Sequence, residues 1–136
     1  MLGKFSCSKD PLTDGVDGME PIANTIPTAA TSTQASHLTR AFVRELIIGS
    51  DPKAYAAHCQ AIVDSQEPDF AAIIAPVLFI AGSEDKSAPL EGVQYIHDHV
   101  GSSKKELKVF DGCGHWHCVE IPDRVANAME AFCSSL

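Results

Sequence analysis

Asp85 and His115 are the two residues whose types and surroundings best suit chemistry in this sequence. A carboxylate that accepts a hydrogen bond from imidazole Nδ1–H fixes the tautomer of the ring and stabilises the imidazolium that forms when the ring takes a proton. Imidazole can take and return a proton near neutral pH, so such a pair can act as general base and then as general acid. The pair predicts assisted nucleophilic chemistry, for which a nucleophile must also be present.

Both residues lie in loops that follow predicted β-strands. The run Pro76–Gly82 is continuously apolar and ends in glycine, which is typical of a strand buried on both faces in a parallel sheet. Glu106–Phe110 is the second predicted strand, and a helix over Pro89–Val100 connects the two. The crevice of an open parallel sheet lies beyond the carboxyl ends of strands about 4.8 Å apart. We therefore expect Asp85 and His115 to share a hydrogen bond.

The rest of the chain predicts helices around this strand–helix–strand unit. A last helix, at about Asp123–Cys133, is expected to bury Val125, Ala128, Met129 and Phe132. Leu38–Ile48 is a second predicted helix, with apolar residues near helical spacing at Leu38, Ala41, Phe42, Leu46 and Ile47. A third begins at Asp51 as cap and Pro52 as first residue, with a buried stripe of Tyr55, Cys59, Ile62 and Val63. Thr25–Ser36, rich in Thr, Ala and Ser, predicts a loop.

Composition argues against several classes of partner. The chain of 136 residues carries 10 Lys and Arg against 18 Asp and Glu, a net charge of −8. Its one basic cluster, at residues 104–108, favours a solvated loop over a nucleic-acid surface. The longest largely apolar run, Ala71–Gly82, is too short to span a bilayer. Five irregularly spaced cysteines and an N-terminus without a secretory signal predict a cytoplasmic protein with reduced thiols.

The spacing of these residues resembles a known family. A strand followed by Gly-x-x-Asp-x-x-x-Pro (82–89), and a strand followed by Gly-x-Gly-His-x-x-x-x-Glu-x-Pro (112–122), are similar to the last two core strands of an α/β-hydrolase. In that family the order is serine, acid, histidine, which fits Asp85 before His115. The segments Gly18–Ala23 and Asp51–Cys59 resemble the helical cap of the branch that includes 3-oxoadipate enol-lactonases and related fungal hydrolases.

The resemblance implies a fold and an activity. The fold class is α/β, a partial α/β-hydrolase fold in which a helical cap remnant precedes the last βαβα of a parallel sheet. Residues 1–16 are then a tail or remnant, residues 17–68 a helical cap-like segment, and residues 69–136 the C-terminal part of the core. The parent activity is hydrolysis of a small-molecule ester or lactone without cofactor or metal, with Asp85 and His115 as the catalytic acid and histidine.

One departure from the family is as informative as the match. The family's nucleophile lies in G-x-S-x-G between a strand and a helix, upstream of the cap, and no such pentapeptide occurs in this sequence. Gly101-Ser102-Ser103 lacks the second glycine and lies between a helix and the last strand. We therefore expect a fragment that is inactive alone. The predicted first strand also demands neighbours, so we expect self-association or a complementing fragment.

Alternative interpretations use the same residues. A non-catalytic binding or interaction module derived from the same fold would keep the loops and lose the chemistry. An intact enzyme could instead use Cys113 or Cys118 as nucleophile, although Cys113 is close to His115 in sequence. A zinc site is disfavoured, because its ligands would be crowded into six residues, at Cys113, His115, His117 and Cys118.

Overall fold

A computed structural model describes residues 18–136. The predicted tail at residues 1–16 lies outside this range. The described elements, in chain order, are α1 (Glu20–Ala30), α2 (His37–Ile48), α3 (Pro52–Asp64), a 3-10 turn (Phe70–Ala72), β1 (Val77–Gly82), α4 (Leu90–His99), β2 (Lys105–Phe110), α5 (His117–Glu120) and α6 (Pro122–Ser134). None of the helices in residues 18–136 is both long and apolar enough to cross a bilayer.

The two predicted strands form a parallel sheet. β1 pairs with β2 in register from Val77 opposite Lys105 to Gly82 opposite Phe110, and α4 makes the crossover between them. Within residues 18–136 the sheet contains only these two strands. The α/β class and the βαβα order of the second half are therefore as the sequence predicts.

The loop prediction for Thr25–Ser36 is wrong over its first half. Helix α1 continues to Ala30, with Pro27 inside it, although Ser, Thr and Pro are weak helix formers. The reason is packing: Ala23, Pro27 and Ala30 recur on one buried face, and Ala23 packs in a cluster with Met19, Val43 and Ile47. Burial against α2 outweighs the local preference.

The predicted buried faces of α2 and α3 also need correction. In α2 the buried residues are Val43 and Ile47, whereas three of the predicted ones are exposed, at Leu38 (80%), Phe42 (50%) and Leu46 (46%). No residue of α3 is buried, and Ile62 and Val63 are more than half exposed. Helix α2 has apolar residues on two sides, and among the described residues α1 packs against the side that carries Val43 and Ile47. The sequence could not tell which side has a partner.

Helix starts follow the sequence more closely. Ala54 N donates to Asp51 Oδ1 at 2.8 Å, with Pro52 as the first residue of α3, so the predicted cap is confirmed. A second cap at Ser36 accepts from Thr39 N at 3.0 Å and begins α2. These bonds satisfy backbone donors that the first helical turn leaves free.

A second apolar cluster supports the strand ends. Phe110 and Cys113 pack with Val125 of α6, and partly buried Ile80 and Ile121 lie against them. Val125 and Phe132 are buried as predicted and Ala128 packs partly buried against the cluster, but Met129 is 52% exposed, so its predicted burial is wrong. The cluster lies directly beneath the loop that carries His115.

Candidate active site

The structure brings Asp85 and His115 together. His115 Nδ1 lies 2.9 Å from Asp85 Oδ2, and each residue follows the carboxyl end of a strand. When the carboxylate is ionised it can only accept, so Nδ1–H of His115 is the donor, and in a neutral ring Nε2 then keeps its lone pair. The Asp85 side chain is 2% exposed and that of His115 is 44% exposed. This leaves the ring open to an incoming group while its orienting carboxylate is shielded from water.

The second carboxylate oxygen of Asp85 binds the backbone of the loop that carries Asp85. Oδ1 accepts from Ser87 N and Ala88 N, both at 2.8 Å. A buried carboxylate needs such donors to offset its lost hydration. Asp85 is therefore fixed by the turn that follows it, and its Oδ2 is left for His115.

The two loops extend the ladder of the sheet. Ser83 N donates to Phe110 O at 2.9 Å, and Glu84 N donates to Cys113 O at 2.9 Å. The backbones come so close that a Cβ on Gly82 would lie 2.2 Å from Cys113 O. Gly112 has φ of +67°, a left-handed conformation that favours glycine. The glycines next to each strand end thus permit the approach that joins the acid to the histidine.

Glu120 organises the histidine loop. Its Oε2 accepts from Gly114 N at 3.2 Å and from Ser32 N at 2.8 Å, and its Oε1 accepts from Trp116 N at 3.2 Å. The peptide N–H groups on both sides of His115 are therefore bound to one carboxylate. The sequence favours a role for Glu120 and Trp116 in holding the histidine loop, but it does not predict Ser32 as a partner, because Ser32 is 88 positions away.

Sequence reasoning missed the segment 30–33, which links α1 to α2. Ala30 O accepts from His115 N at 2.8 Å, and Thr33 donates through N and Oγ1 to the carboxylate of Glu84 at 2.7 and 3.0 Å. No local pattern could have revealed these contacts, since they join backbone groups to residues more than 50 positions away. We call residues 30–33 the bridge segment.

The geometry of the described residues does not favour Cys113 as a nucleophile or a metal ion at this site. Cys113 is fully buried, and burial, followed by the charge of Glu120, raises the pKa of its thiol to about 11. A protonated, inaccessible thiol is a poor nucleophile at neutral pH. Among residues 18–136, no three His, Cys, Asp or Glu side chains are grouped to hold a metal ion. Cys118 is exposed.

A surface groove lies apart from Asp85 and His115 among the described residues. An open groove of about 280 Å³ lies between β2 and α6, lined by Phe110, Arg124 and Ala128 among others, and touches neither Asp85 nor His115. We therefore do not connect this groove with the chemistry of the pair.

Known structures share this arrangement of elements. An esterase from Thermogutta terrifontis aligns at TM-score 0.77 with 18% identity, over 86% of this chain and 44% of that one. An enol-lactonase from Burkholderia xenovorans LB400 aligns at 0.76 with 18% identity, over 85% and 45%. A serine hydrolase involved in carbazole degradation (CarC) aligns at 0.70 with 24% identity, over 84% and 46%. No family model matches the sequence, and no curated protein matches it.

The chain therefore has the fold of the C-terminal part of an α/β-hydrolase. It spans less than half the length of each of these structures. At these identities the likeness concerns the fold, and function has to be argued from the site itself.

Proposed function

We propose that this chain supplies the acid and the histidine of a Ser-Asp-His hydrolase that acts on a small-molecule ester or lactone without a cofactor. The observation that carries the proposal is the contact between His115 Nδ1 and Asp85 Oδ2 at the carboxyl ends of two parallel strands. Esterases and an enol-lactonase share the fold, which agrees with this class of substrate.

The chemistry follows from the orientation of the ring. With Nδ1–H donated to Asp85, Nε2 of His115 takes the proton of a serine hydroxyl as its oxygen attacks the carbonyl carbon. Asp85 stabilises the imidazolium, which then gives the proton to the leaving oxygen. In the second half-reaction Nε2 takes a proton from water, whose oxygen attacks the acyl-enzyme, and returns the proton to the serine.

The serine has to come from outside the 136 residues, because they contain no G-x-S-x-G.

The exposure of the sheet supports the same proposal. β1 is the more apolar strand, yet its Val77–Ile80 stretch is only half-buried, with β2 on one edge. Buried Trp116 Nε1, beside His115, has no hydrogen-bond partner among residues 18–136. A strand-bearing segment that docks on the open edge of β1 would cover the strand and add the nucleophile.

A chimera tests the function directly. The full chain is joined to the part of the Burkholderia xenovorans enol-lactonase that it does not cover, and hydrolysis of a p-nitrophenyl ester is measured. We expect hydrolysis that depends on His115 and on the added serine. A folded chimera whose hydrolysis persists in His115→Ala, or one that labels with a fluorophosphonate but never turns over, contradicts the proposal. Hydrolysis by the chain alone that disappears in His115→Ala would refute the need for an added nucleophile.

The proposal includes a cytoplasmic location. Cys113, Cys118 and Cys133 are thiols outside any disulfide, which suits a reducing compartment. Fractionation of cells that express the tagged chain tests this, and recovery in the extracellular medium would contradict it.

A further inference from the structure

We infer that Glu120 and Glu84 are positioning residues that hold His115 and Asp85 in register by binding the bridge segment 30–33. The inference deepens the proposed function, since it rests on the same pair being catalytic. It differs from the triad itself in that neither glutamate touches the reacting atoms. Both act through the backbone of the loops that carry the pair.

The first half of the argument concerns the histidine. Glu120 binds Gly114 N and Trp116 N, the peptide groups on each side of His115, and His115 N itself donates to Ala30 O at 2.8 Å. Three consecutive backbone donors are thereby fixed from outside the loop. A hydrogen bond to an ionised acceptor is about twice as strong as a neutral one, so the carboxylate dominates this set.

The second half concerns the acid. Glu84 directly precedes Asp85, and its carboxylate accepts from both N and Oγ1 of Thr33. Ser32 N, one residue earlier, donates to Glu120 at 2.8 Å. Adjacent residues of the bridge segment therefore bind the two glutamates, one from each catalytic loop. The distance between acid and histidine is set by this short segment as well as by the sheet.

The bridge segment is itself anchored to a helix. Arg40 of α2 donates through Nη2 to Ser32 O at 3.0 Å and through Nε to Thr31 Oγ1 at 3.3 Å. These two bonds tie the backbone and side chain of the bridge segment to α2. The packed pair α1–α2 thus reaches the catalytic pair through one continuous set of bonds. A shift of this helix pair is expected to move Asp85 and His115 relative to each other.

Substitution by glutamine separates this role from general packing. Glu120→Gln keeps the shape but turns one oxygen into an N–H donor that faces a backbone N–H, so at least one bond is lost. Glu84→Gln removes the charge, but its amide can still bond to Thr33 N through the oxygen and to Thr33 Oγ1 through the N–H, so a smaller effect is expected. Glu91→Gln is the matched control, because Glu91 lies exposed in the first turn of α4 and its side chain accepts no hydrogen bond from either loop within residues 18–136.

The readout is the downfield NMR proton of the imidazole Nδ1–H that is bound to Asp85, recorded on the full chain. We expect its exchange with water to accelerate at least about tenfold in Glu120→Gln, less in Glu84→Gln, and not at all in Glu91→Gln. An unchanged exchange rate in Glu120→Gln overturns the inference, as does absence of the signal in the unsubstituted chain. If Glu120→Gln does not fold, Glu84→Gln decides by the same criterion.

The exchange rate of the Nδ1 proton can be measured independently of hydrolysis by the chimera. A chimera that lacks activity but keeps a Glu120-dependent Nδ1–H signal would refute the proposed function and leave the positioning role standing. An active chimera whose Nδ1–H signal is unchanged in Glu120→Gln would support the proposed function and refute the positioning role of Glu120.

Discussion

The loops beyond the two strands and the strands themselves differ in how much of their bonding lies within residues 18–136. Around the pair, the whole residue Asp85 is 8% exposed and each of its carboxylate oxygens accepts a hydrogen bond. Glu120 binds three backbone donors. In the sheet, β1 has one neighbour, and α2 exposes the apolar residues Leu38, Phe42 and Leu46. The difference teaches that residues 18–136 satisfy the bonding of the acid and histidine among themselves, whereas they leave apolar residues of β1 and α2 partly exposed.

The largest expected effect tests whether the loops are a catalytic site at all. In the chimera, Asp85→Asn is expected to lower kcat by about 10⁴-fold, because the amide favours the wrong tautomer of His115. His58→Ala, an exposed histidine of α3, is the control and should leave kcat unchanged. Steady-state kinetics with a p-nitrophenyl ester measure both. Activity retained in Asp85→Asn would mean that the well-bonded loops are only structural.

Alanine substitutions at two glycines compare the stability of the crowded histidine loop with that of the exposed helix α4. A Cβ on Gly114 would lie 2.6 Å from Ser32 N and 2.7 Å from Thr31 C, so Gly114→Ala must displace the bridge segment. We expect it to lower the free energy of unfolding by at least about 2 kcal/mol. Gly92→Ala in α4 meets no atom within 4 Å and should raise that free energy by about 0.5–1 kcal/mol. Urea denaturation measures both, and equal effects would contradict the contrast.

The next largest effect is expected on self-association through the edge of β1 that is not paired with β2. Val77 N and Ser83 N donate towards β2, so by alternation Leu78 N points to the free edge of β1. We expect the chain to self-associate at micromolar concentration, and Leu78→Pro to weaken this association about tenfold by removing a free donor. Light scattering measures association, and near-UV circular dichroism checks that β1 and β2 stay packed. A monomeric unsubstituted chain would refute an open edge.

The smallest expected effect comes from Cys113 beneath the histidine loop. Its thiol has a pKa of about 11 in the folded chain against an ordinary value near 9.0, so folding disfavours the thiolate. The stabilisation is therefore complete below about pH 8.5 and is lost as pH rises towards 11, with a loss of about 1 kcal/mol by pH 10. Urea denaturation at pH 8 and pH 10 should show this loss, and Cys113→Ala should lack it. An identical pH dependence in the two proteins would contradict burial of the thiol.

The strands and the contact between Asp85 and His115 could be predicted because their signals are local. The run from Val77 to Gly82 is apolar on both faces, Asp85 follows Gly82 by three residues, and His115 directly follows Gly114 in the loop after β2. The buried side of α2 could not be predicted, since both Val43 and Phe42 are apolar and only the position of α1 decides between them. The roles of Glu84 and the bridge segment depend on tertiary contacts that no sequence period encodes.

The bridge segment also dictates when the site can form as the chain folds. Its contacts join Thr33 to Glu84 across 51 residues and Ser32 to Glu120 across 88 residues. Closing loops of this length costs conformational entropy that rises with the logarithm of their length, so such contacts form after the local ones. We expect α1 and α2 to pair early and the β1–α4–β2 unit to form separately. During synthesis, Glu120 can bind the backbone on both sides of His115 only after Glu120 itself has left the ribosome.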